Sequence, residues 1–254
     1  MAIIRNEALH KQVAAAMRQS IAAGEWPPGT QLPTETDLAE KYGVSRPTVR
    51  LAVAALRSEG QLDVKQGRGT FVRPTVHGPT GTLDRTVTTQ DNTYSTPTDS
   101  WFGHAEEPTV YRTRTDAITA PLLEMDQDEL MLGCDRLLTD PTGGGRALHR
   151  LLLPMEHIEA TPLAQQPAAT PAEAYATLAA GHDIAWRERV TARIPQPDER
   201  EALKLSEAAV LLVTHRTTYD QATGRPLILE ETRLGAETAA LTYAIEARPA
   251  EATR

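Results

Sequence analysis

Two arginines lie one helical turn apart in residues 41–60, KYGVSRPTVRLAVAALRSEG. Arg46 and Arg50 are accompanied by the hydroxyl groups of Ser45 and Thr48. A guanidinium can donate two parallel hydrogen bonds to guanine, and a hydroxyl group can contact a base or a phosphate. Residues near the N-terminus of a helix are the ones that reach base edges in the major groove. The pattern therefore predicts DNA contact, and the alternative is a solvated helix face that carries both arginines for solubility alone.

The helix that positions these side chains is predicted over 46–59. Ser45 is its expected N-cap, and Pro47 falls in the first turn, where a missing N–H costs little. Because Pro47 has no N–H, the Ser45 hydroxyl is expected to accept a hydrogen bond from the N–H of Thr48. Apolar residues at helical spacing predict the face that packs on the core, which consists of Val49, Ala52, Val53 and Leu56.

Two further helices and a hairpin are predicted around this helix. Apolar periodicity indicates a first helix over 6–23, and a cap signal indicates a second one over 35–42. Residues 61–72, QLDVKQGRGTFV, contain two short alternating segments on either side of a glycine-containing turn. They predict a β-hairpin with Gly67 in the turn and Arg68 near the tip. This order of elements is the layout of a winged helix-turn-helix, in which the hairpin wing presses against phosphates or the minor groove.

Charge is distributed unevenly along the 254 residues, whose formal net charge is −8. Residues 1–76 contain 10 Lys and Arg and 7 Asp and Glu, a net charge of +3. Residues 77–254 contain the other 16 basic and 27 acidic residues, a net charge of −11. A mildly basic segment followed by a strongly acidic one indicates two parts with different partners, and ordinary variation between domains is the alternative.

Composition argues against several classes of protein. A single cysteine, Cys134, cannot form an internal disulfide bond, and no apolar run approaches the ~18 residues of a membrane span. The N-terminus has charges where a signal peptide needs an apolar core, so we expect a soluble, cytoplasmic protein. The seven histidines show no metal-ligand spacing, and no pairing of a nucleophile with a base is recognisable. We therefore expect no metal, no cofactor and no catalytic residue.

The chain after residue 76 predicts strands and short helices. Residues 77–100 are rich in Thr, Pro, Gly and Asp, which indicates a linker with one strand around 83–87. Strands are predicted over 109–118 and 184–194, helices over 120–132, 170–181 and 198–205, and hairpins from 134–140 with 146–154 and from 209–220 with 225–235. The predicted domains are 1–76 and 101–254.

The segment LPTETDLAEKYGVSRPTVRLAVAALRSEGQLDVKQGRGTFV resembles the DNA-binding domain of GntR-type transcription regulators. The LP-x-E start, GVSR-x-TVR and the final G-x-GTFV match in order and spacing, and the resemblance covers residues 5–73. It implies that Arg46, Thr48 and Arg50 contact the operator, with Gly67 in the wing.

One position departs from the family pattern. The residue after Glu35 is commonly an arginine that also touches DNA, and here it is Thr36, followed by the acidic Asp37. The resemblance therefore implies that one family contact is lost or weakened in this chain. The residues predicted to contact DNA are Thr36, Ser45, Arg46, Thr48, Arg50, Gly67 and Arg68.

Residues 77–254 resemble the effector-binding UTRA domain of the HutC branch of this family. The similarity is carried by RALHRLLLP, by ERVTARIPQPDEREALKL and by VLLVTHRTTYDQATGRPL. It implies an antiparallel sheet similar to that of chorismate lyase, with helices on its outside, a small-molecule pocket against the sheet, and a homodimer. The expected fold class is α+β, a winged helix-turn-helix joined by a linker to a UTRA domain.

The resemblance also implies an effector pocket. Family pockets often use an arginine on the first hairpin strand to hold an anionic ligand, and Arg136 matches that position. A second family arginine is Leu138 here, and an acid is common where this chain has His149, which argues against assuming a phosphosugar. The predicted ligand-binding residues are Arg136, His149, Arg216, Glu230 and Tyr243. The alternatives are a cross-strand partner for Arg136, such as Asp135 or Asp140, and an ordinary sheet face for the others.

The sequence thus predicts a DNA-binding repressor that a small-molecule effector releases from an inverted-repeat operator. Two alternatives stay open at this point. One is a constitutive repressor whose second domain only dimerises. The other is an enzyme with a DNA-binding head, against which stands the lack of any catalytic constellation.

Overall fold

The structure is a computed structural model that describes residues 8–65, 67–73, 81–91, 93–96, 99–102, 105–140 and 145–244. Contacts between residues divide the chain into two compact units, Met1–His77 with Leu205–Ala209, and Gly78–Lys204 with Val210–Arg254. In the described ranges, no helix combines the length and the apolar character needed to cross a membrane. The predicted domain limits stay a prediction.

The first unit contains three helices and a two-stranded hairpin. They are α1 (Leu9–Ala22), α2 (Glu35–Tyr42), α3 (Arg46–Ser58), β1 (Leu62–Lys65) and β2 (Gly69–Val72). Thr34 and Asp37 form a reciprocal capping box at the start of α2, and Gly43 ends that helix in the left-handed conformation. These local signals explain why α2 begins and ends where the sequence predicts, while α3 ends one residue before the predicted 59. The expected part of the first helix before Ala8 lies outside the described residues.

The core of this unit is built from apolar residues of all three helices and the hairpin. Its buried members are Val13, Ala14, Met17, Trp26, Leu32, Leu38, Val49, Ala52, Leu56, Leu62 and Val72. Val53, predicted to lie on the buried face of α3, is half-buried. Leu9, which continues the apolar period of α1, is 54% exposed because the helix begins there. The core fixes α3 with its N-terminal turn at the surface.

The second unit is built on a six-stranded antiparallel sheet, and its elements are as follows. They are β3 (Gly81–Asp84), β4 (Thr88–Gln90), β5 (Thr93–Ser95), α4 (Asp99–Phe102), β6 (Thr109–Arg114), α5 (Thr119–Leu123), β7 (Leu130–Thr139), β8 (Arg146–Pro154), α6 (Met155–Ile158), α7 (Pro171–Ala179), β9 (Ile184–Arg193), α8 (Pro197–Ala202), β10 (Leu211–Asp220), β11 (Pro226–Gly235) and β12 (Ala239–Thr242). The sheet order is β6-β7-β8-β11-β10-β9. The mixed α+β fold with an antiparallel sheet agrees with the expectation.

The two faces of this sheet have different environments. On one face, which we call the inner face, α7 contributes Tyr175 and Leu178 to a core with Cys134 and Leu151. On the opposite face, the outer face, α5 covers a smaller apolar cluster of Leu123, Met131, Leu152 and Leu229. Alternate residues of each strand therefore point to different surroundings, which decides where polar side chains are buried.

Two parts of the second unit differ from the sequence prediction. The helix expected over 120–132 ends at Leu123, where Glu124 adopts the left-handed conformation. Residues 130–132 begin β7, since an apolar run such as LMLGC fits either period and the pairing with β8 decides. Within 77–100, predicted as a linker, β3 pairs in parallel with β12, and Leu83 is buried against the sheet. This pairing joins segments far apart in the sequence, so local composition could not indicate it.

Candidate functional site

The first turn of α3 presents hydroxyl and guanidinium groups at the surface. Ser45 caps the helix, and its Oγ accepts a hydrogen bond of 3.4 Å from the N–H of Thr48, as expected from the proline at position 47. The hydroxyl groups of Ser45 and Thr48 also lie 2.8 Å apart. Arg46 and, one turn further on, Arg50 extend beside them, with side chains 61% and 66% exposed. The predicted DNA-contacting side chains of α3 therefore share one accessible surface.

A carboxylate on α2 lies between the two arginines. Arg50 donates two hydrogen bonds to Glu35, from Nε to Oε1 at 3.0 Å and from Nη2 to Oε2 at 2.7 Å. Nη2 of Arg46 is 3.9 Å from the same Oε2. The hydrogen bond from Arg50 lowers the pKa of Glu35, and the same bond raises the pKa of Arg50. Glu35 and Arg50 are therefore both charged at neutral pH.

The wing is held by a side chain from outside the hairpin. Gly67 and Gly69 have φ of +72° and +109°, which favour glycine, and the N–H of Arg68 donates to the carbonyl of Lys65 at 2.9 Å. Gln31 Nε2 donates to the carbonyl of Arg68 at 2.9 Å, and a Cβ on Gly69 would lie 2.4 Å from that nitrogen. Gly67 and Arg68 are exposed. The tip therefore has a fixed backbone and an accessible arginine.

Residue 36, where the family commonly has an arginine, is an exposed threonine in the first turn of α2. It is adjacent to Glu35, which accepts the hydrogen bonds of Arg50. In place of that arginine, the turn thus contributes the Glu35 carboxylate and the Thr36 hydroxyl group beside Arg50, and it contains no cation.

A second set of polar side chains lies on the inner face of the sheet. The strand register places Arg136 beside His149, and His149 beside Thr232. One row along, it places Glu230 beside Arg216 and Arg216 beside Glu188. Because the side chains of a row point to one face, four of the predicted ligand-binding residues, Arg136, His149, Arg216 and Glu230, lie together on the inner face.

Hydrogen bonds connect these residues with three that the sequence did not indicate. Glu188 accepts from Arg216 Nε at 2.7 Å, from Arg85 Nε at 3.0 Å and from Tyr243 Oη at 3.3 Å. Glu230 accepts from the Tyr175 hydroxyl and lies 3.4 Å from His149 Nε2. Arg216 also donates to the backbone carbonyl of Arg85. The members of this group, called the polar cluster from here on, are Arg85, His149, Tyr175, Glu188, Arg216 and Glu230.

Burial and charge fix the protonation states in the polar cluster. Burial raises the pKa of Glu230, but the hydrogen bond from His149 and the charges of Arg216 and Arg85 outweigh it and lower the value to about 2. Burial lowers the pKa of His149, whose neutral imidazole therefore donates from Nε2 to Glu230. Burial also raises the pKa of Tyr175, which stays protonated. Glu230 is thus an ionised carboxylate held by neutral donors and two arginines.

Several buried polar atoms around the polar cluster have no hydrogen-bond partner in the described part of the protein. They are Arg85 Nη2, Trp186 Nε1 and the hydroxyl groups of Thr214, Thr218 and Thr232. Register places the three threonines and Trp186 on the inner face, beside Arg216 and Glu230. Buried polar groups normally have partners, so donors and acceptors gathered in this way indicate a place where a polar molecule binds.

Two matches to known families agree with this geometry. Residues 9–72 match the family described as bacterial regulatory proteins, gntR family, and residues 148–240 match the UTRA domain. An uncharacterized HTH-type transcriptional regulator of Rhizobium meliloti is 30% identical over 248 residues, which cover 91% of this chain and 92% of that protein. The chain belongs to the GntR family. It is a transcriptional regulator with a DNA-binding GntR domain and a UTRA effector-binding domain.

Other relatives agree with this assignment to the GntR family. An HTH-type transcriptional regulator of Mycobacterium tuberculosis is 30% identical over 85% of this chain and 78% of its own length. The mannosyl-D-glycerate transport/metabolism system repressor MngR of Escherichia coli is 46% identical over 65 residues, 26% of this chain and 27% of MngR. A crystal structure of a GntR-family transcriptional regulator has the same fold, with a TM-score of 0.66 at 22% identity over 95% of this chain and 99% of that one.

The structure of this GntR-family protein places the remaining predicted residues as follows. Tyr243 is 39% exposed and reaches the polar cluster through Glu188. Arg136 donates to the backbone carbonyl of Ala168. Asp135, one proposed partner of Arg136, instead accepts two hydrogen bonds from Arg150 on the outer face.

The sequence contained one usable signal for the missed residues. Glu188 is an acid on the side of β9 that also carries Trp186, and a charge on a buried side of a strand indicates a buried partner. Tyr175 matched the apolar face of a helix, where its hydroxyl group gave no separate indication. Arg85 falls in the segment predicted as a linker, and nothing local distinguishes it from a solvated arginine.

Proposed function

We propose that this protein is a homodimeric repressor whose two recognition helices read an inverted-repeat operator, and that a small polar effector bound at the polar cluster releases it. The observation that carries the effector part is the group of unpartnered polar atoms beside Arg216 and Glu230. The relative MngR is named a repressor, which supports the direction of regulation. The proposed effector contacts are Arg136, His149, Arg216, Glu230 and Tyr243.

The DNA part of the proposal uses the exposed residues of α3 and the wing. Arg46 and Arg50 supply guanidinium groups for guanine, and Ser45 and Thr48 supply hydroxyl groups for bases or phosphates. Arg68 at the wing tip supplies a charge for a phosphate. One helix reads only a few base pairs, and two-fold proteins mirror palindromic sites, so two copies are needed for a specific operator.

The proposed release requires little energy. An effector that binds better to a dimer in a DNA-incompetent conformation shifts the population toward it. A tenfold loss of operator affinity needs about 1.4 kcal/mol of coupling, and the operator must weaken effector binding by the same factor. Contacts at a few of the unpartnered polar atoms suffice for that difference.

The operator part is tested with duplexes selected from a randomised pool by the full-length protein. We expect the selected sequences to contain an inverted repeat, and scrambling one half of it should remove most of the affinity. If a duplex with a single half-site bound as tightly as the full inverted repeat, recognition of the operator by a dimer would be excluded. Sedimentation of the protein with each duplex gives the number of chains bound.

The effector part is tested by thermal-shift measurements of the full-length protein in fractions of the host's metabolite extract. A fraction that raises the melting temperature and weakens binding to the selected duplex supports the proposal. Arg136→Ala should abolish this response and leave binding of the duplex unchanged without the fraction. Arg187→Ala is the matched control, because Arg187 is exposed on the same sheet but belongs to its outer face.

Two results decide for the alternatives. If no fraction shifts either the melting temperature or the DNA affinity, the protein is a constitutive repressor whose second domain only dimerises. If a fraction contains a compound that the protein consumes, the second domain is an enzyme. A normal response in Arg136→Ala places the binding site elsewhere on the sheet.

A further inference from the structure

Glu35 is an acidic residue on the surface that has to approach DNA. Its side chain is half-buried at the first position of α2, while the arginines that it contacts are mostly exposed. An isolated carboxylate here would repel phosphates and weaken binding of any duplex. Its position between Arg46 and Arg50 therefore needs a reason other than a general gain in DNA affinity.

The hydrogen bonds leave the outer edge of the Arg50 guanidinium available. A guanidinium has five N–H groups, and Glu35 takes one from Nε and one from Nη2. Both N–H groups of Nη1 and the second N–H group of Nη2 remain available. One N–H of Nη1 and the remaining N–H of Nη2 point in parallel from the end of the guanidinium. Such a pair matches O6 and N7 of guanine. Glu35 therefore fixes the plane of the guanidinium without using the edge that reads a base.

We propose that Glu35 is a positioning residue for base reading: it holds Arg50 in a guanine-reading orientation and disfavours contacts of Arg50 and Arg46 with phosphates. The proposal rests on Arg50 contacting bases, as set out above. A mobile arginine side chain pairs readily with phosphates, because phosphates carry the strongest negative charge on DNA of any sequence. An arginine held by two hydrogen bonds has lost much of its rotamer freedom before it meets DNA, so less entropy is lost on binding.

The test compares Glu35→Gln with Glu40→Gln, using the selected duplex and a scrambled duplex of equal length. Both variants remove one negative charge from α2, and Glu40 is exposed and contacts no arginine within the described ranges. We expect Glu35→Gln to lower the ratio of specific to non-specific affinity about tenfold, as for loss of one two-pronged base contact. Glu40→Gln should leave that ratio unchanged. Circular dichroism should show both variants fully folded.

A second measurement separates positioning from a structural role. In an Arg50→Lys background the two-pronged contact is absent, so adding Glu35→Gln should not change the ratio further. Selection with Glu35→Gln from the randomised pool should yield sites that tolerate other bases at the guanine read by Arg50. A purely structural role of Glu35 would instead lower affinity for both duplexes alike and would leave the selected sequence unchanged.

The outcomes distinguish this proposal from the proposed function. If Arg50→Ala leaves the selected sequence unchanged, Arg50 does not read a base, and the positioning role fails together with the base-reading role proposed for Arg50. If Arg50→Ala relaxes the sequence while Glu35→Gln keeps the wild-type ratio, base reading stands and the positioning role is excluded. Equal effects of Glu35→Gln and Glu40→Gln show that net charge alone is responsible, which also overturns it.

Discussion

Carboxylate–guanidinium pairs occur in both units of the protein, but their surroundings differ. The Arg50 side chain is 66% exposed beside Glu35, whereas the Arg216 side chain is 4% exposed beside Glu188. The exposed Arg50 guanidinium keeps N–H groups that Glu35 does not use, and these can exchange water for a DNA base at little cost while the pair stays formed. A buried pair that loses one member leaves an uncompensated charge. The same chemistry therefore supports recognition in one unit and a fixed conformation in the other.

The largest expected effect tests the buried side of this comparison. Glu188→Ala leaves Arg85 and Arg216 buried without their shared carboxylate, and breaking a buried pair in this way costs about 3–5 kcal/mol. We expect a loss of that size in urea unfolding of the full chain. Glu35→Ala is the exposed counterpart and should change the unfolding free energy by less than about 1 kcal/mol. Similar losses of unfolding free energy in Glu188→Ala and Glu35→Ala would show that the buried and the exposed pair do not differ in their contribution to stability.

Acid should destabilise the second unit through its buried cluster. The pKa of Glu230 is about 2 in the folded protein against an ordinary value of 4.5. Below pH ~5 the unfolded chain therefore binds more protons than the folded protein, and the stability decreases as the pH is lowered. The lowered pKa of His149 acts in the same direction below its ordinary 6.5. Between pH 5 and pH 2 we expect a loss of about 3 kcal/mol from Glu230, and Glu230→Gln should flatten that part of the profile. If the dependence of unfolding free energy on pH is unchanged in Glu230→Gln, groups other than Glu230 cause the loss of stability in acid.

Removing Arg50 tests the exposed side. Arg50→Ala should weaken the selected duplex roughly 10–100-fold and relax the preference for one guanine, while affinity for scrambled DNA changes far less. Fluorescence anisotropy with both duplexes measures the ratio. Arg18→Ala is a suitable control, because Arg18 also pairs with an exposed acid, Glu59, but lies on α1. An equal loss on both duplexes would make Arg50 a phosphate contact.

Elements encoded by short-range patterns could be predicted from the sequence. The start of α3 follows from a serine cap and a proline in the first turn, and the wing follows from Gly67 and Gly69 around a reversal. The hairpin of β10 and β11 follows from alternation on both sides of a polar turn. In each case the signal lies within one continuous stretch of the chain, so no knowledge of distant contacts is needed.

Features that depend on long-range pairing could not be predicted. The parallel pairing of β3 with β12 is specified by the assembled sheet, and it brings Arg85 to Glu188 although its own segment resembles a linker. The contact between Glu35 and Arg50 depends on the angle between α2 and α3, which the core sets through Leu38 and Leu56. Sequence reasoning therefore predicted side chains of the accessible surface of α3 and of the inner face, and it missed Arg85, Tyr175 and Glu188, which bind several of them.

The smallest expected effect concerns the wing. Arg68 is exposed, and its backbone is held by Gln31 and the two glycines, so its side chain can reach a phosphate without reading sequence. Arg68→Ala should weaken the selected and scrambled duplexes alike by about twofold to threefold and lower the slope of log affinity against log salt by about 1. Titrations at several salt concentrations measure that slope. Gln31→Ala keeps the charge but releases the tip, and it should lower affinity without changing the slope, because the number of neutralised phosphates stays the same. A change in base preference in Arg68→Ala would show that the wing also reads sequence, and the exposed surface would then contain two sites of base recognition.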